Sequence, residues 1–217
     1  MPLYRYKAKM ALFVHIPKTG GSTVEEVLKD AGAHQALKYH KRLGYSNSTP
    51  QHMQWDVLRH WIPKDFYSFA FAMVRHPVAR IVSEYHWRTR ISKRTLPAFD
   101  PWVNKHFDLF VEQPYILDNH IRPQAEFVGP PVRIFRLEDG LEPPIRAAFE
   151  HLQLGGGTPA IHHARKSEAE TLEVTPATLA RIKTFYAGDY ETFGYDLEAP
   201  LPPGLVLTDT AAGARPA

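Results

Sequence analysis

Three apolar runs interrupt the chain: ALFVHI at 11–16, SFAFAMV at 68–74 and PVRIFRL at 131–137. The first two lack the alternation of a half-exposed strand, which predicts strands buried in a parallel sheet; the third predicts a further strand. Between them the spacing turns helical. Ser22-Thr23 precedes VEEVL and Gly32 follows it, so hydroxyl caps, acids in the first turn and a terminal glycine predict one helix. Thr49-Pro50 predicts a short helix over QHMQWDVLRHW, residues 51–61. Pro77 opens a longer one with Ile81, Val82, Tyr85 and the stem of Arg88 toward the core. Further helices are predicted from Asp100-Pro101 to Gln113, over 141–152, and after Thr175-Pro176 on a stripe of Leu179, Ile182 and Phe185 or Tyr186.

The polar stretch 33–48 reads as a loop and Gly155-Gly156-Gly157 as a break. Residues 197–217, rich in Pro, Ala and Gly, read as a flexible tail. Strands alternating with helices, without an internal repeat, predict a single α/β domain over 1–196, a central parallel sheet flanked by helices.

Composition narrows the function more than the fold. A chain of 217 residues with 44% hydrophobic and 23% charged residues is ordinary for a globular protein with a full core. A net charge of +3 admits an anionic ligand but is not the basic stripe of a nucleic-acid binder. The absence of cysteine removes disulfides, thiolate catalysis and Cys-based zinc sites, and fits a reducing compartment. The apolar run at 10–16 is too short to span a membrane and has no cleavage site, so the expectation is a cytosolic protein unless a targeting segment has been removed. Nothing in the pattern indicates an oligomeric state.

The candidate chemistry begins at FVHIPKTGGST, residues 13–23. A Walker A loop places its Lys after the glycines; here Lys18 precedes Gly20-Gly21. The glycines permit a tight turn and close approach of a ligand, so the amides of Thr19 to Thr23 and the helix N-terminus form a candidate anion site with Lys18 above it. A plain strand-to-helix turn with an exposed Lys is the alternative. The second strand runs into Arg75-His76-Pro77, where a P-loop NTPase commonly carries a metal-binding Asp. Arg75 suits a second phosphate, and Ser83, eight residues later, lies two helical turns along. Two separated anionic groups and no required metal are the expectation.

HIPKTGGST followed by VRHPVARIVSEY resembles the two motifs of sulfotransferases that use 3′-phosphoadenosine 5′-phosphosulfate (PAPS), in the branch related to carbohydrate 2-O-sulfotransferases. IFRLEDG at 134–140 and YAGDYETFGYD at 186–196 extend the likeness more weakly, to roughly 10–196. The resemblance implies a P-loop-NTPase-like fold. It implies that Pro17, Lys18, Thr19, Gly20, Gly21, Ser22 and Thr23 cradle the 5′-phosphosulfate, and that Arg75, Pro77, Arg80, Ser83 and Tyr85 serve the 3′-phosphate. It further implies a hydroxyl acceptor, a carbohydrate or glycoconjugate first of all, and a His base slightly more than twenty residues before the 3′-phosphate Arg. His52 lies 23 residues before Arg75; at the third position of the expected helix, the dipole would keep it neutral and able to accept a proton. A His that only packs or caps that turn is the competing reading.

His15 is expected to be buried behind the loop, while His60, His40 and Glu138 are weaker base candidates. His162-His163 lacks a third ligand and is not read as a metal site. Arg165-Lys166 could close the 3′-phosphate site or be a solvated surface run. KYHKR at 38–42 and RTRISKR at 88–94 could attract an acidic acceptor, with solvated faces the default. Trp55, Trp61, Trp87 and Trp102 could stack on sugars, although core packing is the usual use. Two other functions share these features: an Mg-ATP-dependent small-molecule kinase with a divergent P-loop, and a non-catalytic nucleotide-binding domain.

Overall fold

The computed structural model describes residues 2–39, 41, 44, 46–155 and 170–208. The chain divides into two compact units, Met1–Arg75 with Leu117–Arg165, and His76–Ile116 with Lys166–Ala217. The sequence carries no mark of this division, because both units draw on discontinuous segments.

The first unit is built on β1 (Leu3–Tyr6), β2 (Lys9–Val14), β3 (His34–Ala36), β4 (Phe69–Val74) and β5 (Arg133–Arg136), in the order β3-β1-β2-β4-β5. β2 pairs parallel with β4, setting Phe13 against Phe71, and β4 pairs parallel with β5, setting Val74 against Arg136. This is the parallel core expected from the apolar runs. The antiparallel additions β1 and β3 lie in polar stretches whose alternation is too short to register.

Helices α1 (Gly21–Asp30), α2 (Trp55–Trp61) and α5 (Glu142–Leu152) belong to the same unit. Val24 and Leu28, one turn apart on α1, and Ile145, Ala148 and Leu152 on α5 join Phe13 and Phe71 in the buried core. The parallel strands thus end, at their carboxyl edge, on a packed foundation that holds the following loops in place.

The single helix expected over 51–61 is broken. Pro50–His52 is one 3-10 turn, Met53 and Gln54 are extended, and α2 begins only at Trp55. The Asn119 side chain takes the His52 carbonyl at 2.8 Å, diverting the acceptor a continuous helix would use.

The second unit holds α3 (Pro77–Ile91), α4 (Phe99–Glu112), α6 (Pro176–Phe185) and α7 (Ala187–Phe193), with a parallel pair β6 (Leu172–Val174) and β7 (Leu205–Leu207). Thr175 caps α6 as its sequence predicts, accepting a hydrogen bond from the Thr178 amide. Phe107 of α4 stacks on Phe185 of α6 with ring centroids 3.8 Å apart. Within the segment expected to be a flexible tail from residue 197, Leu205–Leu207 forms β7, with Leu205 buried. Three apolar residues after Pro-Pro-Gly are too few for a strand signal; the partner strand supplies the order.

Candidate active site

Val14 ends β2, and the chain turns into α1 through the loop expected to bind an anion. Two of its residues take left-handed backbone: Lys18 at φ 68° and Gly20 at φ 85°. The second is natural for glycine; the first is strain in a lysine at the centre of a candidate site. Gly20, rather than Ser22 or Thr23, precedes the helix, which starts at Gly21. Thr19 is buried, and its hydroxyl donates to the Ile16 carbonyl at 2.8 Å, pinning the turn.

Arg75 follows β4, the strand beside β2, so both motifs lie at carboxyl ends of neighbouring parallel strands, the usual ligand edge of such sheets. The Gln124 side chain, wholly buried, accepts from the Arg75 amide at 2.9 Å and donates to its carbonyl at 2.8 Å. That double clamp fixes the backbone from which the guanidinium extends. Nη1 of Arg75 reaches the carbonyl of Lys18 at 3.5 Å, a long contact that nonetheless brings the two motifs together.

Beside the loop stand two histidine–carboxylate pairs. His15 Nδ1 donates to Glu25, which also accepts from Gln51 and from Lys38 Nζ at 3.0 Å. Burial opposes ionisation of Glu25, but these hydrogen bonds and charges outweigh it and hold its carboxyl at about 2. Burial drives His15 below its ordinary value, so it stays neutral against an ionised Glu25. Lys38, read from sequence as part of a solvated basic stretch, therefore has an internal partner.

His52 Nδ1 lies 2.7 Å from Asp118 Oδ2, and its ring packs edge-on to His15 at 5.3 Å and His120 at 4.8 Å. Its pKa is lowered chiefly by burial, against the opposing hydrogen bond to Asp118. The helix-dipole origin expected for its neutrality is thus corrected: His52 closes a 3-10 turn and does not sit in an α-helical first turn. A donated Nδ1–H leaves Nε2 with the lone pair, as a proton acceptor requires. His52, Asp118 and His120 also bring metal-ligating atom types within 4.8 Å of one another; the His52–Asp118 hydrogen bond arranges two of them as an acid–base pair.

A model of the sulfotransferase family matches residues 6–196. The chain belongs to that family. No curated protein and no solved structure matches it. It is accordingly a PAPS-dependent sulfotransferase, an enzyme that moves a sulfuryl group to a hydroxyl-bearing acceptor, and the parallel core with its strand–loop–helix turn agrees with the P-loop-like fold of the family. No helix among the described residues is long and apolar enough to cross a membrane.

The second unit of the sulfotransferase carries the rest of the second motif, and there its residues divide. Ser83 is half-buried on α3. Arg80 is 1% exposed with its guanidinium 5.6 Å from the Tyr186 ring centroid, and Tyr85 is buried with its hydroxyl donating to the Pro97 carbonyl at 2.8 Å. Both side chains pack inside this unit. Among the other candidates, His60 is exposed on α2, Trp102 is core and Trp61 is exposed. Arg165, Lys166, His40, His162 and His163 lie outside the described residues. Sequence reasoning missed Glu25, Gln51, Asp118, His120 and Gln124, none of which falls at a spacing that marks it.

Proposed function

We propose that this sulfotransferase binds PAPS with the 5′-phosphosulfate on Pro17, Lys18, Thr19, Gly20, Gly21, Ser22 and Thr23 and the 3′-phosphate on Arg75, and that it sulfates a hydroxyl of a carbohydrate or glycoconjugate. The acceptor oxygen forms the new bond to sulfur while the bond from sulfur to the 5′-phosphate oxygen breaks in line. The acceptor proton passes to His52 Nε2, and Lys18 stabilises the charge left on the departing phosphate. No step calls for a metal ion. The observation that carries this reading is the convergence of Arg75 on the Lys18 carbonyl, which unites two motifs separated by 57 residues. The acceptor class rests on the likeness of both motifs to the carbohydrate 2-O-sulfotransferase branch.

Thermal stabilisation of the purified protein by the product, 3′,5′-ADP, compared with ATP, each with Mg²⁺ and with EDTA, tests the donor site. At a hundred times its dissociation constant a ligand stabilises by about 2.7 kcal/mol. We expect 3′,5′-ADP to stabilise in both buffers, and the shift to vanish in Arg75→Ala. Stabilisation only by ATP with Mg²⁺ would replace this reading with the kinase one. Transfer of labelled sulfate to desulfated glycans against simple alcohols and tyrosine peptides tests the acceptor.

A further inference from the structure

Leu117, Asp118 and Asn119 have φ of 54°, 57° and 63°, three successive non-glycine residues in left-handed backbone. L-residues visit that region singly and at a cost. A run of three persists only where surrounding contacts over-determine it, and such strain gathers at functional sites. Here five of the contacts lead to one short segment, Thr49 to Gln54. Asp118 accepts from the Thr49 amide at 2.6 Å, from the Thr49 hydroxyl at 2.7 Å and from His52 Nδ1 at 2.7 Å. Asn119, wholly buried, donates to the His52 carbonyl at 2.8 Å and to Gln54 Oε1 at 3.2 Å, and accepts from Arg122 Nε at 3.0 Å. The turn therefore grips His52 twice, by ring and by backbone.

We propose that this left-handed turn positions the base, with Asp118 as the residue that fixes the His52 tautomer and rotamer and stabilises the imidazolium formed on proton transfer. The inference rests on the reading of His52 as the base. A carboxylate that already accepts two hydrogen bonds from Thr49 is held ionised and acceptor-only toward His52, so the imidazole must place its proton on Nδ1. Burial opposes ionisation of Asp118, yet the hydrogen bonds from His52 and Thr49 bring its carboxyl below the ordinary value.

The His15–Glu25 pair is the internal control. It has the same Nδ1–carboxylate contact, but His15 has 6% side-chain exposure against 13% for His52, and its ring lies under Gly21. Of two similarly paired imidazoles, only His52 combines the pairing with greater access and a strained clamp. Among the described residues, the titratable groups against His52 are Asp118, His15 and His120.

Long-range ¹H–¹⁵N NMR of the imidazoles in the intact protein, together with steady-state sulfuryl transfer, decides the matter. In wild type we expect His52 as the Nδ1–H tautomer. In Asp118→Asn the amide becomes a donor toward Nδ1; the Nε2–H tautomer should appear and kcat should fall by roughly 10²–10⁴, the range seen when an orienting carboxylate is lost elsewhere. KM for PAPS should change less than about twofold, because the loop is untouched. Thr49→Val, which removes the hydroxyl that donates to Asp118 and lies 3.4 Å from His52 Nδ1, should cost about tenfold in kcat and serves if Asp118→Asn does not fold. An Nε2–H tautomer in wild type, or near-normal turnover and tautomer in the folded Asp118 variant (in Thr49→Val, should Asp118→Asn not fold), overturns the proposal. Unchanged kcat in His52→Ala would instead sink the base assignment, while the tautomer measurement would still report on the hold of Asp118.

Discussion

The anion loop is seven successive residues, Pro17 to Thr23, whereas the imidazole cluster beside it gathers His15, Glu25, Thr49, His52, Asp118 and His120 from four stretches of chain. The loop works through backbone: amide directions, two left-handed residues and a helix start, all set by local sequence. The cluster works through side chains whose partners are up to 69 residues apart. His15 joins them, since its ring lies against Gly21 on one side and meets the edge of His52 on the other. On the proposed reading, phosphate binding is written into a short motif, while proton transfer depends on the folded sheet bringing distant loops together.

If the two regions divide the work this way, their variants should fail differently. Lys18→Ala removes the cation proposed to stabilise the leaving group and should lower kcat by at least about a hundredfold, some 3–4 kcal/mol of transition-state stabilisation. His52→Ala should lower kcat by roughly 10²–10⁴ while 3′,5′-ADP still stabilises the protein fully. Loss of 3′,5′-ADP stabilisation in His52→Ala would break the division, because the base would then belong to the donor site.

That division also explains what was legible in the sequence. The parallel strands, the loop and Arg75 follow from apolar runs, glycines and a cation at a strand end. His52 was reachable through resemblance, but its setting was misjudged, because nothing local foretells that Asn119 takes its carbonyl and ends the turn. Asp118, Glu25 and Gln124 look like ordinary polar residues until the fold supplies their partners. β7 was hidden for the same reason: three residues become a strand only beside β6.

Acid titration should separate the two histidine–carboxylate pairs. Glu25 has a folded pKa of about 2 against an ordinary 4.5, so its stabilisation is complete above pH 4.5 and is lost as pH falls toward 2. Its full loss is worth about 3 kcal/mol at most. His15 and His52 lie below 6.5, so the unfolded chain binds their protons first and stability also declines as pH drops beneath 6.5. Denaturant midpoints from pH 8 to 2 should show both windows in wild type, and Glu25→Gln should shrink the lower one to the share left by Asp118, whose carboxyl is also lowered. A wild-type acid profile in that variant would mean that Glu25 is not ionised by Lys38 and the hydrogen bonds around it.

The smallest change tests the joint between the regions. A methyl at Gly21 would meet His15 Nε2 at 2.9 Å, Cε1 at 3.0 Å and Cδ2 at 3.1 Å, three ring atoms at nearly one distance. The ring therefore lies flat against that position, and relief requires moving either the imidazole, which carries Glu25 and borders His52, or the start of α1. Overpacking of this kind costs about 1–3 kcal/mol. We expect Gly21→Ala to lower the melting temperature accordingly and to weaken both 3′,5′-ADP binding and turnover, since the displaced ring presses on both sites. Gly188→Ala, on α7 with open space at its Cβ, is the control that should be neutral or slightly stabilising. If Gly21→Ala disturbs binding but leaves the His52 tautomer and kcat intact, the two regions are neighbours without coupling, and His15 is packing beneath the loop rather than a link between them.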